Sequence, residues 1–241
     1  MKPLAVLYLI ICLSGYAQSK ELVKFGIPLQ PSAPLYSATD EIYKEAFLRI
    51  NVDYQSISCI PSSCASLVRD RVISGEAGRQ AGYSNIYPQL KRLDVILLNL
   101  TVVAITNKEK DPIYTLQDIA KKNYKVSFQS GFRYYQARLE EVIGIEKSDA
   151  VVHWISGIKN ILKGTTDVYI GIEQLIIPEI DDDLKQQVQI SRLEGSNHGM
   201  YPFVAIDFPH QQALTKTLLD MKQDRTIERI LRENGVSIEP L

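Results

Sequence analysis

The alternation of apolar and polar positions along the 241-residue chain sets out a βα rhythm. Leu22 to Ile27 reads as a short strand stopped by Pro28. After the loop Pro31 to Tyr36, Ser37-Ala-Thr-Asp40 has the pattern of a helix N-cap, and Ile42, Tyr43, Ala46, Phe47 and Ile50 recur at helical spacing. Asn51 to Ile57 predicts a second strand, with Val52 and Tyr54 alternating. Ala65 to Val72 is amphipathic, placing Leu67, Val68 and Val72 on one helical face. The small-residue stretch Ile73 to Arg79 follows, carrying one acid, Glu76, and one arginine. Read from residue types alone, Gly75 and Gly78 permit a tight turn there. A long apolar strand comes next, Val95 to Ile105.

The chain turns polar from Thr106, and a second βα series begins. Thr115 with Asp118 caps a short helix, Lys125 to Phe128 is a strand, Ser130-Gly131 is a turn, and a helix starts near Arg133. Val151 to Trp154 reads as a strand. Ile155, Ile158, Ile161 and Leu162 mark a helix closed by Gly164. Asp167 to Ile172 and Gln187 to Leu193 complete the series as strands. Gly195-Ser-Asn-His-Gly199 reads as a break before a returning strand, Met200 to Ile206. The tail is helical through Leu214, Leu218, Met221, Ile227, Ile230 and Leu231, ending at Asn234-Gly235. The expected architecture is α/β in two lobes, each a mixed sheet flanked by helices, joined by two hinge crossings. The expected boundaries are residues 18–105 plus 197–241 for lobe 1 and 106–196 for lobe 2.

Composition narrows the function. With 27 basic and 28 acidic residues the chain is near neutral, which disfavours nucleic acid or an anionic membrane as partner. Residues 1–17 have the form of a secretory signal: Lys2, an apolar stretch from Pro3 to Leu13, and a small-x-small site at Gly15-Tyr-Ala17. A lipoprotein reading through Cys12 is weakened by the bulky Ile11 before it. Cys59 and Cys64 then remain, and in an oxidising compartment such a close pair reads as a disulfide. A metal site would need further ligands, and no second Cys or His pair lies nearby.

The order of these features resembles a bacterial extracellular solute-binding protein of the polar-amino-acid-receptor type (family 3), in its compact, orphan-like form. The markers are Pro34-Leu-Tyr36, then Ser74-Gly-Glu-Ala-Gly-Arg79, which is similar to an Asp-Gly-Glu-x-x-Arg pattern, and Tyr87-Pro-x-Leu90. Thr115 to Ile119, Val126 to Gly131, Gly164-x-x-Asp167 and the tail from Phe208-Pro-His210 complete the match. Ser74 departs from the pattern's Asp, Cys64 stands where related chains carry Arg, and the acid that pairs with an amino acid's ammonium falls out of register, near Ile172 or Glu173.

The resemblance implies a periplasmic protein that closes two lobes on a small anionic or zwitterionic, amino-acid-like solute. It also implies a membrane permease or a periplasmic sensor domain as partner, and a monomer without a cofactor. Arg79 would grip a carboxylate, beside Glu76 and under Tyr36 and Tyr83. Ser130, Gly131, Arg133 and Glu173 would face it from the other lobe, the free amides of the Ser130 turn holding an anion. The competing class is a lyase or dehydratase on the same scaffold, using Glu76 or Glu173 as general acid. The chain has no Gly-x-Ser-x-Gly, nucleotide loop or clustered histidine, so His153, His198 and His210 read as structural and the chain as a non-enzyme.

Overall fold

The structure is a computed structural model that describes residues 21–130 and 133–237, without the side chains of residues 133–135, 145 and 196. Its first half runs β1 (Leu22–Ile27), α1 (Pro34–Arg49), β2 (Asp53–Ser58), α2 (Cys64–Arg69), β3 (Gly75–Arg79), α3 (Tyr83–Ile86), β4 (Leu90–Arg92) and β5 (Leu98–Asn107). There follow α4 (Leu116–Lys121), β6 (Val126–Gln129), α5 (Arg133–Ile143), β7 (Ser148–Val151), α6 (Trp154–Leu162), β8 (Val168–Ile172), α7 (Glu173–Ile176) and α8 (Asp182–Gln187). The long β9 (Val188–Ala205) and the helices α9 (Gln211–Gln223) and α10 (Thr226–Glu233) close the chain. The strands pair in the order β2-β1-β3-β9-β5-β8-β6-β7, with β4 added to β9. β1 is parallel to β2 and β3, and β6 is parallel to β7 and β8, while β5 and β9 run antiparallel to their neighbours.

Both halves of the sheet are buried on two faces, which explains their near-continuous apolar runs. In β5, Val102 and Ala104 pack with Ile119, Phe128 and Leu139, whereas Val103 and Ile105 pack with Ile158, Ile161 and Tyr169. In the other half, Phe25 packs tilted against Tyr43 and edge-on to Phe47 of α1, in one core with Leu214, Leu218 and Ile230 of the tail helices. Ala65, Val68, Ile73 and Phe203 cover the opposite face. The tail helices thus return to the first half of the chain and seal its core.

Four sequence expectations are corrected. α1 begins at Pro34, ahead of the Ser37 cap, because proline's fixed φ and missing N–H suit the first helical turn. The Ile73 to Arg79 stretch is a central strand over Gly75–Arg79, with no turn in it. Its glycines serve close packing: a Cβ on Gly75 would lie 2.5 Å from the Phe203 carbonyl oxygen, and one on Gly78 would lie 2.5 Å from Met200 Sδ. Trp154 opens α6, and the strand before it ends at Val151. The expected break at Gly195 to Gly199 lies inside one strand. β5 pairs with β9 on both sides of it, from Leu98↔Met200 to Asn107↔Val188. The extra β9 residues bulge between Arg192 and Asn197, where Gly195 takes φ +64°. β5 and β9 therefore run unbroken through both halves of the molecule.

Candidate functional site

The site begins with a β-bulge. Glu76 and Arg79 are three positions apart, a spacing that in a regular strand points the two side chains to opposite faces. Their partners on β9 are Phe203 and Tyr201, only two residues apart, so β3 holds one extra residue. That insertion brings both side chains to the same side, and Arg79 Nε donates to Glu76 Oε2 at 2.5 Å. The bulge is held from outside as well. The buried Tyr43 hydroxyl donates to the Ala77 carbonyl at 2.7 Å, satisfying a backbone acceptor inside the bulged stretch.

Glu76 is 0% exposed, and the Tyr83 hydroxyl also reaches it, at 3.2 Å and 3.3 Å from its two oxygens. Burial raises the Glu76 pKa above the usual carboxylate range, and the charge of Arg79 with the Arg79 and Tyr83 hydrogen bonds only partly offsets it. Arg79 is 11% exposed at its side chain, and its Nη2 donates to the Pro61 carbonyl at 2.9 Å. Its guanidinium lies over the Tyr83 ring, 4.7 Å from the centroid. Pro61 sits inside the loop closed by the Cys59–Cys64 disulfide, so the predicted bridge is present and fixes the carbonyl that holds Arg79. Among the described residues no group of His, Cys, Asp and Glu could hold a metal ion.

Arg79 opens onto a cavity of about 580 Å³ lined from both halves of the sheet. One wall is Leu29, Leu35, Pro61, Ala77 to Tyr83, Ile86 and Tyr87. Gln129, Ser130, Ala137 and Arg138 face it from the end of β6 and from α5, and Leu100, Ile172, Leu175, His198 and Met200 form the floor from β5, β8, α7 and β9. Of the residues expected at the site, Arg79, Tyr83 and Ser130 line this cavity. Glu76 stands behind Arg79. Tyr36 lies off the lining, donating to Ser56 Oγ at 3.3 Å. Glu173 makes a two-pronged pair with Arg192, at 2.7 Å and 2.8 Å, also off the lining. Gly131 falls outside the described residues, and Arg133 is described only as the first residue of α5. The amide of Ser130 is not free for an anion, because it donates to the Val151 carbonyl at 2.7 Å.

Four lining residues escape the sequence reading. Gln80 Nε2 and Gln129 Oε1, one on each side of the cleft, are buried without a hydrogen-bond partner among the described residues. Arg138 lies within α5, next to Ala137 of the same lining. His198 read as structural but lines the floor. Burial, reinforced by the charge of Arg138, holds its imidazole below the ordinary histidine range. A strand-end glutamine is the one signal that could have been found, since Gln129 closes β6 at the edge where such sheets bind ligands.

Neither a protein-family model nor a curated protein matches the sequence. Solved structures do match the fold. A histidine kinase sensor domain with similarity to periplasmic binding proteins superposes with TM-score 0.77 at 11% identity, covering 92% of this chain and 99% of that one. The chain has the periplasmic-binding-protein fold. The GluR0 ligand-binding core in complex with L-glutamate gives TM-score 0.75 at 10% identity, covering 89% and 98%. The ancestral amino-acid-binding protein AncCDT-1, a precursor of cyclohexadienyl dehydratase, gives 0.71 at 12%, covering 88% and 94%. By their titles, the GluR0 core holds L-glutamate and AncCDT-1 is an amino-acid-binding protein. Among the described residues no helix is long and apolar enough to cross a membrane.

Proposed function

We propose that the chain is an exported solute-binding protein that closes its two lobes on a small anionic or amino-acid-like solute. The observation that carries this reading is the cavity of about 580 Å³ between the halves, with apolar walls, a guanidinium on each side, and Gln80 Nε2 and Gln129 Oε1 without a partner among the described residues. The lobes are residues 18–105 plus 197–241, and 106–196, with Val102 to Ile105 of β5 reaching into the second lobe's core, and the hinge lies where β5 and β9 pass from one to the other. Gln174 braces that crossing: its side chain accepts from the Thr101 amide at 3.0 Å and donates to the Asn99 carbonyl at 3.2 Å.

A lyase or dehydratase is the competing reading, and the raised pKa of Glu76 is what favours it. A general acid must reach its substrate, however, and Glu76 is screened from the cavity by the two residues that bond it. Binding therefore remains the better reading. The bound solute would be handed to a membrane permease or reported to a sensor domain, in the periplasm, after removal of residues 1–17. A native mass spectrum of protein freshly purified from its own host tests both parts. The expected result is an N-terminus at Gln18 and a non-covalent adduct of small mass that unfolding releases. Uncleaved protein confined to the cytosol would refute export, and turnover rather than release of the adduct would favour the enzyme.

A further inference from the structure

We propose that the cleft selects an organic carboxylate with an apolar body and a neutral hydrogen-bonding group, and rejects the same molecule when that group is a charged ammonium. This rests on the solute-binding reading and narrows its ligand class.

An ammonium taken out of water needs a carboxylate or a full set of acceptors, because its desolvation is otherwise uncompensated. Among the described residues no Asp or Glu lines the cavity. The two acids that sequence spacing brings near it are committed elsewhere. Glu76 is fully buried behind Arg79 and shared with Tyr83, and Glu173 is held on both oxygens by Arg192. The stretch that follows Ser130 cannot supply the missing charge wherever its side chains lie. It reads Gly131, Phe132, Arg133, Tyr134, Tyr135, which is basic and aromatic with no acid.

The cations are placed the other way. Glu76 neutralises Arg79 and, with the Pro61 carbonyl, engages its Nε and Nη2, while its Nη1 has no protein partner among the described residues and Arg79 lines the cavity, able to meet a carboxylate. Arg138 stands on the facing wall, and His198 on the floor has its pKa lowered by burial first and by the Arg138 charge second. A second cation there would be repelled. The unpartnered Gln80 Nε2 offers one donor and Gln129 Oε1 one acceptor, which suits a hydroxyl or amide on the ligand. Leu29, Leu35, Ile86 and Leu175 leave the rest of the volume apolar.

The test uses the oxidised full chain, ligand-stripped, in calorimetric titrations with matched pairs that differ only in the amino group. The pairs are phenylalanine against 3-phenyllactate and 3-phenylpropionate, and leucine against 2-hydroxy-4-methylpentanoate and 4-methylpentanoate. The expected result is at least about 30-fold tighter binding of the hydroxy acid or plain acid than of its amino counterpart. Gln129→Glu, which installs the missing carboxylate, should shrink that ratio by favouring the amine. Amino acids binding as tightly as their partners would overturn this inference while leaving solute binding intact. No heat and no thermal shift with either series would overturn the binding reading, and the inference with it.

Discussion

Removing the charge of Glu76 should destabilise the protein more than any exposed ion pair could, and the loss should be coupled to Arg79. Glu76→Gln keeps the shape and one acceptor but leaves Arg79, 11% exposed, without its counter-charge. Breaking a fully buried pair from one side costs about 3–5 kcal/mol. Arg79 touches the cavity and keeps the Pro61 carbonyl and the Tyr83 ring, so the expected loss is lower, about 2–3 kcal/mol. In thermal melts that is a shift of about 2–4 °C for each kcal/mol. Arg79→Met strands the acid instead, with a different signature. A buried carboxyl whose folded pKa is raised binds its proton more tightly folded than unfolded. Stability from that group is fully present below the unfolded value, near 4.5, and is lost as pH rises through the folded one. The cost of Arg79→Met should therefore be small in acid and grow toward neutrality. Combining Glu76→Gln with Arg79→Met should cost about 1–2 kcal/mol less than the sum of the single losses. Guanidinium unfolding of the four proteins at acid and neutral pH measures all of this. Additive losses, or an Arg79→Met loss independent of pH, would refute the argument that these groups form one buried pair.

Reduction of Cys59–Cys64, or its replacement by serines, should cost about 2 kcal/mol for so short a loop. It should also weaken solute binding through the freed Pro61 carbonyl, and equal affinity with and without reductant would contradict that link. Gly75→Ala should cost about 1–3 kcal/mol by overpacking against the Phe203 backbone. Gly82→Ala, whose nearest contact is at 3.8 Å, should be near neutral in the same denaturation assay. Asp224, hydrogen-bonded by Thr226 and Arg49, has its pKa lowered from 3.8 to about 2, so its stabilisation holds above 3.8 and disappears as pH falls toward 2. Asp224→Asn should flatten that limb of the acid-unfolding curve, and an unchanged limb would show that the pair contributes nothing.

Elements whose signal is local were legible in the sequence. β1 lies where its apolar run ends at Pro28, and the Thr115–Asp118 pattern forms a reciprocal capping box at the start of α4. Both are decided within a few residues. β3 was not legible, because a strand of glycine, alanine and two charges has no strand propensity of its own. Its conformation is imposed by β1 and β9 on either side and by Phe25 and Phe203, which occupy the space a side chain would need. The glycine pair at 195 and 199 misled for the related reason that a bulge and a loop have the same composition.

The site divides along the same line. Arg79 and Tyr83 could be found because both sit on one short stretch. Gln80 belongs to that stretch too, but a glutamine carries no signal until the fold buries its amide nitrogen without a partner. Gln129 has a strand-end signal of its own, but only the sheet order brings it together with Arg138 and His198, from β6, α5 and β9, at one cavity. The bulge in β3 is the step between the two levels. It adds one residue, turns Glu76 and Arg79 to one side, and so converts a sequence pair with the wrong spacing into a buried ion pair. That pair orients a guanidinium at the cavity wall while cancelling its charge. The other arginine in the described lining, Arg138, sits on α5. What the cavity takes up should accordingly respond more to charge changes on the α5 side than to conservative changes around Arg79.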